Sequence, residues 1–237
     1  MRKIGLIGGM SWHSTVGYYR VVNELVSERL GGQHSAELVL ESLDFDEVRT
    51  LQLAEDWDAA GRLLAAAGRR TTQAGAEAVL ICTNLMHKVA PAVEAALDVP
   101  LLHIADAVAA SARAAGCDTV GLLGSKWVMA ETFYADRLAA QGIGTIVPGE
   151  ADRALVDRVV FDELTQGIVR EASRAAYVAI IEDLAQRGAG AVVLACTEIE
   201  SLVRADDSPI PVIDSMRAHA SAAGEFALGA DRSLAAH

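Results

Sequence analysis

Apolar and polar positions along the chain predict short strands alternating with helices. The first apolar run, residues 3–8 (KIGLIG), is bounded by glycine and reads as a strand buried on both faces of a parallel sheet. It ends in Gly8, Gly9, Met10 and Ser11, after which Ser14 or Thr15 is expected to cap a helix stopped by Gly31 and Gly32 near Leu30. A strand over 37–41 leads to a polar loop holding Asp44 and Arg49, and an Ala-rich helix spans 57–73. The run 75–84 (GAEAVLICTN) is the next buried strand, followed by a helix near 87–96 and a short strand after Pro100 that ends around His103.

The second half repeats this grammar. A helix to about Ala115 feeds strand 119–123, which stops at Gly124 and Ser125. Helix 132–140, strand 143–147, helices over 155–165 and 171–187, strand 191–196, a last short strand ending at Asp214 and a terminal helix complete the pattern. All five prolines fall at element edges or in first helical turns, where a missing N–H is tolerated.

Three landmarks recur in order: IGLIGG from Ile4 with VGLLGS from Val120, GAEAV from Gly75 with GAGAV from Gly188, and VPLLH from Val99 with IPVID from Ile210. Offsets of 116, 113 and 111 residues are what a duplicated βα unit shows after small insertions and deletions. The expected fold is therefore α/β, with two similar domains, each a mostly parallel sheet flanked by helices and related by internal pseudo-symmetry, and the site between them. Ligands in such sheets bind outside the carboxyl ends of the strands.

Composition narrows the field. With 237 residues and 52% apolar content the chain can bury a sizeable core, yet no apolar run is long enough to span a bilayer. The basic start MRK is followed by too short an apolar run for a secretory signal, so a cytoplasmic location is expected. A net charge of −12 argues against nucleic acid or an anionic membrane as partner, since both require a basic footprint. Cys82, Cys117 and Cys196 lack metal-ligand spacing and are odd in number, which predicts reduced thiols, no disulfide and no metal.

Cofactor motifs are also missing. Gly5, Gly8 and Gly9 do not make a dinucleotide fingerprint, there is no Walker-type lysine, and Lys3, Lys88 and Lys126 offer poor contexts for a pyridoxal phosphate aldimine. No cofactor is expected. Instead, four strand ends carry donors: Met10 and Ser11, Thr83 and Asn84, Ser125, and Thr197 with Glu198. Strand ends that open into helices favour a small carboxylate. Cys196, at one such end, is expected to have a lowered thiol pKa.

In the ungapped register Thr83 lies opposite Cys196, while Cys82, one residue earlier on a strand, points to the other face. A one-residue shift would put Cys82 opposite Cys196 instead. His87 is placed to orient a site group or to sit as a satisfied buried histidine, and His103 and Asp214 mark the matching late strand ends. Arg49 is a candidate clamp for a second carboxylate.

Together, IGLIGGMSW, CTNLMHK, VGLLGS, ACTEI and PVID resemble the cofactor-independent aspartate/glutamate racemase superfamily over nearly the whole chain. The resemblance implies two similar α/β domains, residues 1–103 with 215–237 and residues 104–214, because the C-terminal helix of such proteins returns to the first domain. It also implies a pair of cysteines facing the α-carbon from opposite sides. Here Cys196 matches one of them, and Met10, Ser11, Asn84, Ser125 and Thr197 match the donors, but the position before Asn84 holds Thr83 instead of a cysteine. The resemblance extends to members with such a Thr/Cys pair that act on acidic amino acids unequally toward the two enantiomers. Arg49 matches the arginine that binds the side-chain carboxylate, whereas the second-domain lysine is replaced near Thr165 and Arg170.

The expected activity is racemisation of aspartate or glutamate, with Cys196 as thiol base and acid and Thr83 on the opposite face. A small amino acid or dicarboxylate is the expected partner, and a homodimer is left open. The alternatives are a single-cysteine decarboxylase or isomerase of small dicarboxylic acids and a non-catalytic two-lobed carboxylate-binding protein.

Overall fold

The computed structural model of the protein describes residues 1–229; the end of the expected first domain, 230–237, lies outside the described residues. The chain forms two compact units, Met1–Ile104 with the chain from His219 onward, and Ala105–Ala218. Each contains a wholly parallel sheet with helices packed against it, an α/β arrangement.

In the first unit, β1 (Ile4–Gly8) is central, between β2 (Leu38–Ser42) and β3 (Ala78–Ile81). Every residue of β1 and β3 is buried, as continuous apolar runs covered on both faces should be. β2 is an edge strand and half exposed. The stretch after Pro100 adds only a single parallel bridge, Leu101 to Val79, where a short strand was expected.

In the second unit the order is β5 (Gly144–Ile146), β4 (Thr119–Gly124), β6 (Ala191–Ala195), β7 (Val212–Asp214). The two sheets share one construction. Ile4 pairs with Ala78 as Val120 pairs with Ala191, and Val79 donates to the Pro100 carbonyl at 3.0 Å as Val192 donates to Pro211 at 2.8 Å.

The same helix closes each unit over the central strand. Helix α3 (Trp57–Gln73) buries Leu64, Ala67, Gly68 and Thr71 on one stripe, and α9 (Glu171–Gln186) buries Tyr177, Ile180, Ile181 and Leu184. Mid-strand glycines admit this contact: a Cβ on Gly5 would lie 2.5 Å from Thr71 Oγ1, and one on Gly121 2.9 Å from Leu184 Cδ1. Thr71 and Leu184 are themselves 113 residues apart, the offset of the GAxAV strands, so the duplication extends to the packing.

Several expected boundaries shift. Helix α1 (Trp12–Leu30) starts ahead of Ser14 and Thr15 with Ser11 at its N-cap, and the Thr15 hydroxyl instead accepts from Gly9 N–H at 2.9 Å. The expected polar loop after β2 contains helix α2 (Phe45–Leu53), capped by Asp44, whose Oδ1 accepts from Asp46 N–H at 3.1 Å. The helix expected over 87–96 is a 3-10 turn, Leu85–Val89, followed by the short α4 (Ala90–Glu94). The remaining helices are α5 (Ile104–Ala114), α6 (Lys126–Ala130), α7 (Thr132–Ala140), α8 (Glu150–Asp162) and α10 (Ser215–Ala227).

Candidate functional site

Because all strands of a unit run the same way, their carboxyl ends gather candidate residues along one edge of each sheet. In the first unit that edge carries Gly8–Ser11 after β1 and Cys82–Asn84 after β3. Gly9 has φ +86, and a Cβ there would sit 2.1 Å from the Leu43 carbonyl oxygen, so the turn that delivers Met10 and Ser11 requires glycine. Met10 is buried and Ser11 half-buried.

Along the second strand end, faces alternate as a strand demands. Cys82 is fully buried, which pushes its thiol far above the usual range, whereas Thr83 is half-buried and Asn84 is 3% exposed. His87 lies in the following turn, its Nδ1 2.8 Å from the Thr83 carbonyl oxygen.

Arg49 stands on α2 and not on a loop. Its guanidinium donates to Gln52 Oε1 at 3.3 Å, and Gln52 Nε2 donates to Met86 Sδ at 3.2 Å. The buried Gln52 thereby links Arg49 to the turn that follows Thr83. Sequence reading missed Gln52, whose only signal is its place one helical turn after Arg49.

In the second unit, the sheet edge carries Ser125 after β4 and Cys196, Thr197 and Glu198 after β6. Ile7 pairs with Ile81 and Leu123 with Leu194, so two residues further along β3 and β6 Thr83 and Cys196 occupy corresponding places. Ser125 is the N-cap of α6, yet among the described residues its buried Oγ has no hydrogen-bond partner. The adjacent Lys126 N–H donates to Asp157 Oδ1 at 2.7 Å.

Cys196 does not follow the expectation of a lowered pKa. A short 3-10 turn, Thr197–Ser201, follows it in place of an α-helix, so there is little aligned dipole to stabilise a thiolate. Its Sγ donates to Glu198 Oε2 at 3.1 Å, and Thr197 Oγ1 donates to the same oxygen at 2.9 Å. Burial first, then the Glu198 carboxylate and more weakly Asp157, hold the thiol well above its ordinary range. The resting group is a thiol already hydrogen-bonded to a carboxylate, an arrangement that can pass a proton in either direction.

Of the remaining candidates, Asp214 Oδ1 accepts from Arg217 N–H at 2.9 Å in the first turn of α10, which gives it a capping role. His103 is buried with its ring 4.5 Å from that of His87. Thr165 bonds the Phe161 carbonyl, and Arg170 is 4.0 Å from the buried Glu163 carboxylate. Among the described residues no His, Cys, Asp or Glu group is arranged to hold a metal ion, and no helix is long and apolar enough to cross a membrane.

The sequence profile described as Asp/Glu/Hydantoin racemase matches residues 7–223, and so takes in both strand-end constellations. The chain belongs to the Asp/Glu/Hydantoin racemase family. A candidate Asp/Glu racemase from Yersinia pestis is 47% identical over 96% of this chain and 100% of its own, with a TM-score of 0.92. An aspartate racemase homologue from Pyrococcus horikoshii OT3 is 31% identical over 96% of this chain and 100% of its own, at 0.84. The Picrophilus torridus aspartate racemase shares 21% identity over 96% of this chain and 94% of its own at 0.72, a likeness of fold. Family members of this kind share the two-sheet α/β architecture described above.

Proposed function

We propose that this racemase-family protein interconverts the enantiomers of an acidic amino acid, aspartate or glutamate, without a cofactor. The observation that carries the reading is the Cys196–Glu198 hydrogen bond at the end of β6, with Thr83 at the corresponding place after β3. Membership of the family and the likeness to the Yersinia and Pyrococcus proteins support it.

Racemisation requires a base on one face of the α-carbon and an acid on the other, with donors to hold the enediolate-like charge between them. Cys196 removes the α-proton as Glu198 takes the thiol proton, leaving Cys196 as thiol, Glu198 protonated and the substrate a carbanion. On the opposite face the Thr83 hydroxyl gives its proton to Cα and is reprotonated by water. The hydroxide so formed is neutralised through solvent by the Glu198 proton, so no net charge is created. Met10, Ser11, Asn84, Ser125 and Thr197 donate to the α-carboxylate, and Arg49 binds the side-chain carboxylate.

A hydroxyl is a far weaker acid than a thiol, so at saturation the reverse direction, in which Thr83 must serve as base, has the lower kcat, with KM lowered in step because racemisation has an equilibrium constant of one. The enzyme therefore favours turnover of one enantiomer. Incubating each enantiomer of aspartate and glutamate with wild type and Cys196→Ser, and following chirality and α-proton exchange, tests the reading. Full activity in Cys196→Ser would refute it.

A second reading has one observation in its favour: Cys82 is fully buried, which leaves Cys196 as the one partly accessible thiol among these strand-end residues. A lone cysteine suits a decarboxylase or isomerase of small dicarboxylic acids. Release of carbon dioxide from a malonate, or isomerisation of maleate, with no exchange at an amino-acid α-carbon, would identify that chemistry.

A further inference from the structure

Behind the Thr83 turn the first unit buries three histidines and a tyrosine that the proposed proton transfers do not use. Tyr18, His87, His103 and His219 are each no more than 6% exposed. The His87 ring stands edge-on to His103 at 4.5 Å and to His219 at 5.5 Å.

The partners of these rings fix their protonation. Ile104 N–H points at His87 Nε2 at 3.2 Å, and a backbone N–H can only donate, so Nε2 is an acceptor. Nδ1 therefore carries the hydrogen and donates to the Thr83 carbonyl at 2.8 Å. His219 has the opposite tautomer. Its Nε2 lies 2.6 Å from the Leu102 carbonyl, which can only accept, and Nδ1 is left to accept from the Tyr18 hydroxyl at 2.8 Å.

Three of these four bonds end on two short pieces of backbone, and the fourth, from Tyr18, holds the His219 ring. One piece of backbone is the turn that holds Thr83 and Asn84, and the other is Leu102–Ile104, where the chain leaves the first unit. His219 stands where the chain re-enters it. We propose that His87, in its neutral Nδ1–H tautomer, is the positioning residue for the Thr83–Asn84 turn, held in place by His219 and Tyr18 through the Leu102–Ile104 backbone.

The functional half of this inference rests on Thr83 acting in the racemisation proposed above. The titratable groups facing His87 are His103, from the segment after Pro100, and His219, from α10, with Tyr18 of α1 behind the latter. A proton on His87 Nε2 would set two donors against each other at Ile104. Burial and both neighbouring histidines also hold the ring well below the ordinary histidine range.

Nitrogen-15 NMR of the full-length chain at neutral pH reads the tautomers directly. The expected result is Nδ1–H at His87 and Nε2–H at His219; an Nε2–H or a charged ring at His87 would overturn the proposal. Replacing His87 with Phe, Asn or Gln then separates the two ring nitrogens, since an Asn amide puts an N–H near the place of Nδ1 and a Gln amide near that of Nε2.

His87→Phe should lower kcat about 100-fold with KM little changed, the cost of a small misplacement. Amide exchange at Asn84 should also accelerate. His87→Asn should recover both readouts, and His87→Gln neither. Wild-type kcat in the Phe variant, or an Asn variant no better than Phe, would contradict the assignment. Should wild type racemise no amino acid, the functional reading alone fails, and the Asn84 exchange rates still decide the positioning claim. If the Phe variant does not fold, the wild-type tautomers and the Asn–Gln contrast decide.

Discussion

Glu198→Gln separates two roles that the Cys196 thiol could have, and its expected effects on acidity and rate run in opposite directions. The carboxylate accepts from Cys196 Sγ at 3.1 Å and raises the thiol pKa. At that distance a unit charge contributes about 1.3 kcal/mol at bulk-water dielectric and about 5 kcal/mol at an effective dielectric near 20. Cys196 is half-buried, so the interaction falls between these limits, and removing the charge should lower the thiol pKa. Were a thiolate alone the base, the variant would hold more of it at neutral pH and run at least as fast. With Glu198 as the proton acceptor, kcat/KM falls by roughly 100-fold or more, equally for the two enantiomers.

The pH dependence of iodoacetamide labelling reads the thiol, in a Cys117→Ser background because Cys117 is also half-exposed, while Cys82 is buried. Loss of the α-proton in deuterium oxide reads the rate. A lower thiol pKa together with an unchanged or faster rate would refute the assignment of Glu198 as base.

Other outcomes follow from the same geometry. Thr83→Cys supplies a second thiol, and the slower direction should gain about tenfold or more, checked by comparing initial rates from the two enantiomers. Arg49→Gln should raise KM for aspartate and glutamate roughly 10- to 100-fold with kcat nearly kept, as loss of a charge-assisted contact predicts; unchanged KM removes the clamp. Gly9→Ala must hold alanine at φ +86 with its Cβ against the Leu43 carbonyl, so urea unfolding should show a loss of about 2 kcal/mol or more. Neutral burial of His87 means the unfolded chain binds more protons below about pH 6.5. Its contribution is complete above that pH and lost as pH falls, so the stability advantage of wild type over His87→Phe should shrink between pH 7.5 and 5.

The strands were legible because parallel strands buried on both faces must be written as short apolar runs, and IGLIG, AVLI and AVVLA have no other place in a folded chain. The repeat was legible for a related reason: mid-strand glycines under a helix leave little room for substitution, and Gly5 and Gly121 kept their places. Short helices were not. Helix α2 carries Asp46 and Glu47 in its first turn and only Val48 and Gln52 as buried positions, so it reads as a polar loop, and Arg49 was misplaced with it.

The state of Cys196 was beyond the sequence because it depends on which way Glu198 turns. A strand end before a helix would lower a thiol pKa, but a carboxylate accepting from the thiol reverses the sign. The histidine cluster was invisible for another reason. Tyr18, His87, His103 and His219 come from four separate segments, and no local pattern relates them.

The most direct test of cofactor-free racemisation by Cys196 follows the α-hydrogen. The purified chain, with no added cofactor, is incubated with each enantiomer of aspartate and glutamate in deuterium oxide, and Cα–H loss and chirality are followed together. The opposite enantiomer should appear with solvent deuterium at Cα, faster at saturation from one enantiomer than from the other, and Cys196→Ser should abolish it. Absence of α-exchange with every amino acid offered, or undiminished exchange in Cys196→Ser, would contradict that chemistry.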